Sequence, residues 1–258
     1  MPRLSLSGGQ TLALGSNSVQ AVYLGSGLQH FNPRVIPGLA AWYDASVASS
    51  ITLNGGNAAQ WDDLSGNDRH QIQANASLQP IYSATGLNGR GTLSTTGTQW
   101  MQASAFASSE AATIFLVWKI DDNSGIPFIW QRGVVNEVHS MLSDGGTANN
   151  SMAARRGSGN TGTVSTPNLG TGGTFRIATL VFTTTLSRIF NGNTEGIDNT
   201  ATVAAPTGNK VLTLFALDSA NRRGNPGLAE FIYYDNVVGA TQQSAVRNYL
   251  SKKWSIGL

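Results

Sequence analysis

The sequence predicts an all-β sandwich that closes with a single amphipathic helix near its C-terminal end. Three observations carry that expectation. Charged residues make up 12% of the 258, against about 25% in an average soluble domain. Gly, Ser, Thr, Asn and Ala fill the gap, as they do on turn-rich, uncharged surfaces. From Gly38 onward short β-like runs alternate with Gly/Asn/Ser turns. Helical spacing occurs in one segment, where Val246, Tyr249, Leu250 and Trp254 recur at i, i+3, i+4 and i+8.

Residues 1–36 read as two or three short strands: Leu4 and Leu6 alternating with Ser, then Leu12 and Leu14 in "TLALG", then "VQAVYLGSGLQHF" with Val22, Tyr23, Leu24 and Phe31. So few apolar side chains cannot bury a core of their own. Their unpaired strand edges favour addition to a neighbour. Residues 1–36 are therefore expected to form an anchoring and oligomerisation arm, and residues 37–258 the sandwich. "NPRVIPG", with Pro33 and Pro37, forms a stiff linker between them. Beyond it the strongest strand candidates are "LAAWYDA", "ATIFLVWKI", "FRIATLVF", "SRIFNGN", "VLTLFAL" and "LAEFIYYD". "ATIFLVWKI" is apolar on both faces, as in a strand covered from both sides. "SRIFNGN" carries an Asn-Gly pair, a strong hairpin signal. The Gly-rich stretch from Ser143 to Gly173 is long for a sandwich loop and is expected to hold two weak strands.

Several functions are excluded at this level. The formal net charge is +2, from 16 basic and 14 acidic side chains, and the basic ones are scattered rather than striped, so no nucleic-acid partner is expected. There is no cysteine, which removes disulfides and thiolate metal sites. The N-terminal stretch has no uninterrupted apolar core of a leader, and nothing later approaches 18 consecutive apolar residues. No membrane insertion is expected, and the chain reads as one made and folded in a cytoplasm.

In order along the chain, "GLAAWYDAS…QWDDLSGNDRH…GLNGRGTLSTTGTQWMQ" resembles the opening of laminin-G-like, concanavalin A-like jelly-roll domains. "TIFLVWKI", "FRIATLVF…RIFNGNTEG" and "LAEFIYYD…AVRNYLSKKW" resemble that family's central strands, its Asn-Gly hairpin and its closing strand and helix. The variant with "YLSKKW" is similar to modules of bacteriophage structural proteins, and "AVYLGS" in the arm resembles short N-terminal segments of phage tail proteins. The resemblance covers residues 37–258. It implies a virion protein of tail-fibre, tail-associated or head-fibre type, exposed on the particle and displaying a lectin-like domain toward host-surface polysaccharide. It also implies other virion proteins as partners of residues 1–36, and a homo-oligomer, three copies by analogy with phage fibres. A capsid decoration protein without receptor role, or a free bacterial lectin, are the alternatives. A glycoside hydrolase comes last.

The loop "QWDDLSGNDRH" gathers Asp62, Asp63, Asn67 and Asp68. Counted from Asp63 as an EF-hand, Ser65 and Asn67 fit, but Gly66 comes too early and position twelve is Ala74. A turn capped by Asp63, with Gly66-Asn67 in the left-handed region, is the preferred reading. Calcium at a scattered-aspartate site is the other, and no further cofactor is expected. Glycoside hydrolysis needs two carboxyls about 5–9.5 Å apart. The family's glucanases set theirs on one strand as Glu-x-Asp-x-x-Glu, and none of Glu110, Glu137, Glu195 and Glu230 stands in such a run. In "EFIYYD", Glu230 and Asp235 alternate to opposite faces. The expectation is a chain that is not an enzyme, with no catalytic residue.

"GSGNTG" at Gly157–Gly162 matches G-x-G-x-x-G, but "TVSTPNLGTGG" follows it and cannot open a helix, so the match is chance. His30, His70 and His139 have no motif context. Trp42, Trp118 and Trp254 have core spacing, and Trp61 and Trp100 match structural positions of the resemblance. Trp130 and Arg132 in "PFIWQRG", with Arg155-Arg156 and Arg222-Arg223 in polar loops, are the candidates for glycan or partner contact. Solvated loop charges are the plainer reading of the arginine pairs.

Overall fold

The computed structural model describes residues 3–5, 11–13, 21–24, 27–121, 128–134, 137–144, 151–156, 162–164, 173–196, 208–217 and 224–258. Two hairpins come first, β1 (Arg3–Ser5) with β2 (Thr11–Ala13) and β3 (Ala21–Leu24) with β4 (Gly27–Phe31). Then follow β5 (Leu39–Asp44), β6 (Ile51–Asn54), β7 (Asn57–Trp61), β8 (Gln71–Ile72) and β9 (Ile81–Leu87). The middle of the chain supplies β10 (Arg90–Ser94), β11 (Met101–Ala107), β12 (Ala112–Ile120), β13 (Phe128–Val134), β14 (Glu137–Asp144), β15 (Ser151–Arg156) and β16 (Gly162–Val164). Last come β17 (Arg176–Phe182), β18 (Ser187–Asn191), β19 (Thr194–Glu195), β20 (Asn209–Leu214), β21 (Pro226–Tyr234) and the helix α1 (Ala240–Trp254).

The strands build an all-β jelly-roll sandwich of two antiparallel sheets. The back sheet runs β19–β18–β17–β12–β21–β5. The front sheet runs β16–β15–β14–β13–β20–β11–β8–β7–β6. β10 pairs with both β21 and β9, and β9 reaches β7, so the two sheets join along one side. The Gly-rich stretch contributes β15 and β16, as expected, and Gly162 opens a strand, so "GSGNTG" does not lead into a helix. The Asn-Gly pair turns β18 into β19. Gly192 stands there at φ 57°, and a Cβ on it would lie 2.7 Å from the Leu258 backbone carbon, so the position takes no side chain.

β12 explains how the layers stack. Successive side chains of a strand point to opposite faces. Ile114, Leu116 and Trp118 enter the core between the sheets, beside Trp61, Trp130, Phe182 and Phe231. Phe115 and Val117 face the other way, onto Val246, Leu250 and Trp254 of α1. A strand apolar on both faces thus has one covering layer per face, at about 1.5–3 kcal/mol for each large side chain buried.

The arm is shorter than the sequence suggests. Phe31 is buried with its ring 5.4 Å from Tyr249, Ile36 is buried in the same cluster, and the Tyr234 hydroxyl donates to the Pro33 carbonyl. Within the stretch read as a stiff linker, residues 33–35 form a short 3₁₀ turn capped by the Asn32 side chain. Phe31 through Ile36 therefore belong to the sandwich. The reason is that "F…PRVI" carries the apolar side chains that close the edge of the helix layer. Of the other arm residues, Leu4, Leu12, Val22, Tyr23 and Leu24 lie on the two hairpins, while Leu6 and Leu14 lie outside the described residues.

α1 is fastened by one carboxylate. Glu230 of β21 has no exposed surface and points at the helix. Its Oε1 accepts from Trp42 Nε1 at 2.9 Å and from the Tyr249 hydroxyl at 2.8 Å. Its Oε2 accepts from Lys253 Nζ and Trp254 Nε1, each at 2.7 Å. Lys253 also donates to Asp44, which stands opposite Glu230 in the β5–β21 ladder. Burial raises the Glu230 carboxyl above the usual carboxylate range, and the Lys253 ammonium opposes that shift. Removing the cation would leave two buried carboxylates facing one another. Lys253→Met should therefore lower unfolding stability by about 3–5 kcal/mol in chemical denaturation. Lys252→Met, on an exposed position of the same turn, should cost well under 1 kcal/mol by the usual rule for surface substitutions.

Candidate functional site

The helix stripe that meets the sheet is apolar only in its second half. Val246, Leu250 and Trp254 are buried, but so are Gln243 and Arg247. Residues 240, 243, 244 and 247 share one face at the N-terminal half of α1. On the sheet side, β18 alternates: Ile189 enters the inter-sheet core, while Arg188 and Phe190 point out toward the helix layer. The loop before α1 is held in place by Thr113, whose hydroxyl accepts from the Val238 N–H at 2.9 Å and donates to the Asn236 carbonyl at 2.9 Å. Because the helix sits over β12 and β21, its N-terminal half and β18 enclose a cleft of about 470 Å³. That volume is within the range of small-molecule sites.

The cleft has an apolar floor and a polar rim. Val181, Leu186, Phe190 and Val238 supply apolar surface. Arg247 spans one wall: its guanidinium carbon is 5.1 Å from the Phe190 ring centroid, Nε donates to Asn193 Oδ1 at 3.1 Å and Nη2 to Ser244 Oγ at 3.3 Å. Its Nη1 is buried without an acceptor among the described residues. Burial lowers the Arg247 pKa from the usual guanidinium value, and Glu195 counters the shift. Gln243 Nε2 donates to the Val238 carbonyl at 2.7 Å. At the mouth, Arg188 Nε and Glu195 Oε1 are 3.4 Å apart, and both side chains are nearly half exposed. α1 begins at Gly239 with no side-chain cap and no acidic residue in its first turn.

The residues singled out from sequence lie elsewhere. Trp130 and Arg132 have no exposed surface. Trp130 packs edge-on against Phe182, Phe231 and Tyr233 in the inter-sheet core. Arg132 lies over the Phe106 ring, 3.2 Å from its centroid, and its Nη2 donates to the Phe106 and Ala107 carbonyls. Burial lowers its pKa to about 10. Neither residue reaches a surface ligand, because both occupy inward positions of β13. Arg155 and Arg156 stand on β15, with side chains outside the described residues, and Arg222 and Arg223 lie outside them altogether. Gln243, Arg247, Arg188 and Phe190 were missed. The signal was present in α1: Gln243 and Arg247 fall on the stripe defined by Leu250 and Trp254.

The aspartate loop is tied up by its own backbone. Asp63 Oδ1 accepts from the Trp42 and Ser65 N–H groups, each at 2.9 Å, and Oδ2 from Ser65 Oγ at 2.7 Å and Arg69 N at 3.1 Å. Asp62 takes the Gln60 amide at 2.7 Å, and Asn67 Nδ2 donates to the Leu39 and Ala40 carbonyls. Gly66 and Asp68, rather than Gly66 and Asn67, hold the positive φ angles, 94° and 55°. Among the described residues no group of three or more His, Cys, Asp or Glu is placed to hold a metal ion. Asp63→Ala strands several donors at once and should cost about 3 kcal/mol. Chelator should leave the melting temperature of the unsubstituted protein unchanged; a calcium-dependent rise of several degrees would contradict this assignment.

The chain matches no known family profile and no curated protein sequence. Its likenesses are to solved structures. Trypanosoma rangeli sialidase superposes with a TM-score of 0.62 at 11% identity, over 92% of this chain and 36% of the sialidase. Domain 4 of AbnA, a GH43 extracellular arabinanase from Geobacillus stearothermophilus, in complex with arabinotriose, superposes at 0.57 and 11% identity, over 81% of this chain and 98% of that domain. A GH54 α-L-arabinofuranosidase gives 0.54 at 13% identity, over 78% and 52%. At such identities the likeness shows the fold. The chain spans about a third of the length of the sialidase chains.

This overturns the expectation of a chain that is not an enzyme. The fold is one that occurs within chains of a sialidase, an arabinanase and an arabinofuranosidase. A pattern read along single strands also does not show every pair of neighbouring carboxyls. Asp44 and Glu230 face each other across two neighbouring strands that lie far apart in sequence.

Proposed function

We propose that this chain is a carbohydrate-recognition module that takes a saccharide in the cleft between β18 and the N-terminal half of α1. The observation that carries the reading is the cleft itself: the Phe190 side chain stands among a guanidinium, an amide, hydroxyls and a carboxylate, within about 470 Å³. A sugar ring needs both kinds of surface, an apolar face for its C–H groups and donors and acceptors for its hydroxyls. The likeness to domain 4 of the arabinanase supports the reading. That domain is crystallised with arabinotriose, and this chain covers 98% of its length.

The setting we infer is the surface of a bacteriophage particle, where the module would be displayed by a tail-fibre, tail-associated, head-fibre or decoration protein. The order of motifs from Trp42 to Trp254 supports it. So do strands β1 and β2, which among the described residues pair only with each other, because isolated two-stranded hairpins are marginal in water. Other virion proteins, or sister copies in a trimer, would complete them by strand addition. Deleting residues 1–28 should leave a folded monomer, while the full chain self-associates or joins a particle. Light scattering that finds both forms in the same oligomeric state, together with unchanged particle incorporation, would count against the arm.

The recognition reading is tested by titrating the ¹⁵N-labelled protein with a saccharide panel that includes arabinotriose. Amides of β18 and of the first turns of α1 should shift, and Phe190→Ala should weaken binding about tenfold, the loss of one well-placed aromatic contact. If no saccharide shifts these amides, or if Phe190→Ala binds as tightly as the unsubstituted chain, the cleft is not the recognition site.

A further inference from the structure

We infer that the saccharide selected by this cleft is acidic, carrying a carboxylate that seats between Arg247 and the N-terminus of α1. The inference rests on the recognition reading above and names the ligand class of the same cleft.

Two independent features aim positive potential into it. The first is Arg247. It is 8% exposed, and two of its three nitrogens are held by Asn193 and Ser244, which are neutral. The third, Nη1, is buried with no acceptor among the described residues. A buried donor left unpaired costs about 1–3 kcal/mol, more when it is charged, so such a group calls for an acceptor from outside the chain. A guanidinium suits a planar carboxylate best, since its N–H groups form a fixed fork. The second feature is the helix end. The first N–H groups of α1 have no partner within the helix, no side chain caps them, and the first turn holds no acidic residue. Gly239 and Ala240 line the same cleft. The side chain of Arg247 leans toward that end, because Cβ vectors in a helix tilt toward the N-terminus, and its bond to Ser244, three residues back, holds it there.

The charges on the cleft do not cancel. Arg188, Arg247 and Glu195 all line it. Glu195 is paired with Arg188 at the exposed mouth, where solvent weakens its reach, and its effect on Arg247 is smaller than that of burial. Two guanidiniums and a helix end thus face one carboxylate, and the guanidinium deeper in the cleft keeps an open valence. A neutral sugar would leave that valence unfilled.

The test compares matched pairs. Oligogalacturonate, oligoglucuronate and sialyllactose are each titrated beside their methyl esters, with arabinotriose as a neutral reference, by calorimetry at low and high salt. At least one acid should bind about tenfold or more tightly than its own ester, as a charge-assisted bidentate contact predicts, and the ratio should shrink at high salt. Ser244→Glu places a carboxylate beside Arg247 on an exposed helix position, where an acidic residue near the N-terminus favours the helix. It should abolish the acid-over-ester preference while the melting temperature holds. Arg247→Gln should likewise remove the acid-over-ester preference. If acids bind no tighter than their esters while some saccharide still binds, the acidic inference fails and the recognition reading stands. If a clear preference survives Ser244→Glu, the carboxylate seats elsewhere and the inference fails. If neither acids, esters nor arabinotriose bind, both readings fall together.

Discussion

A carboxylate with no exposed surface must be answered on every lone pair, and Glu230 is answered by four donors drawn from two different layers. Trp42 belongs to the back sheet, and Tyr249, Lys253 and Trp254 belong to α1. The bonds fix how far the helix slides along the sheet and how it is rolled, since a shift of one residue would turn all three helix donors away. Apolar packing of Val246, Leu250 and Trp254 supplies the attraction but tolerates sliding. The charged cluster, bridged to Asp44 through Lys253, supplies the register. Such a cluster is costly to desolvate, and specifying position is the use for it that this geometry displays.

The cleft is a consequence of that register. With its C-terminal half locked over β21 and β5, α1 must carry its N-terminal half toward β17 and β18, where the sheet offers Val181, Arg188 and Phe190 instead of a matching apolar stripe. Gln243 and Arg247 occupy inward helix positions that would otherwise be filled by leucine or valine. They are buried against no core, and open space remains in the cleft that they line together with Phe190. A second tie works on the backbone of β5, where Asp63 takes the Trp42 N–H and two further N–H groups of its own loop. Asp63 fastens the strand that presents Trp42 to Glu230, so the two ties support one another.

Local pattern made much of this legible. Short apolar runs bounded by turn chemistry located "ATIFLVWKI", the Asn-Gly hairpin and the strand "LAEFIYYD", and helical spacing located α1. What stayed hidden depended on partners distant in the chain. Trp42 and Glu230 meet across 188 residues, and no local rule pairs them. Trp130 and Arg132 read as candidates for surface contact because a buried arginine is rare, yet Arg132 is stacked on Phe106 inside the sandwich. Phe31 read as part of the anchoring arm because its partner, Tyr249, lies at the other end of the chain. Gln243 and Arg247 were passed over because a helix face is read from its apolar members, whereas here the polar members of the same stripe form the site.

The central claim is that the fastened helix and β18 together form a sugar site, and a crystal structure of the chain with a bound oligosaccharide addresses it most directly. The account predicts a sugar ring against Phe190 with polar contacts from Arg247 and the first turn of α1. A saccharide seated instead on the outer face of the front sheet, around Gln102 and Thr213, with the cleft filled by solvent, would contradict it.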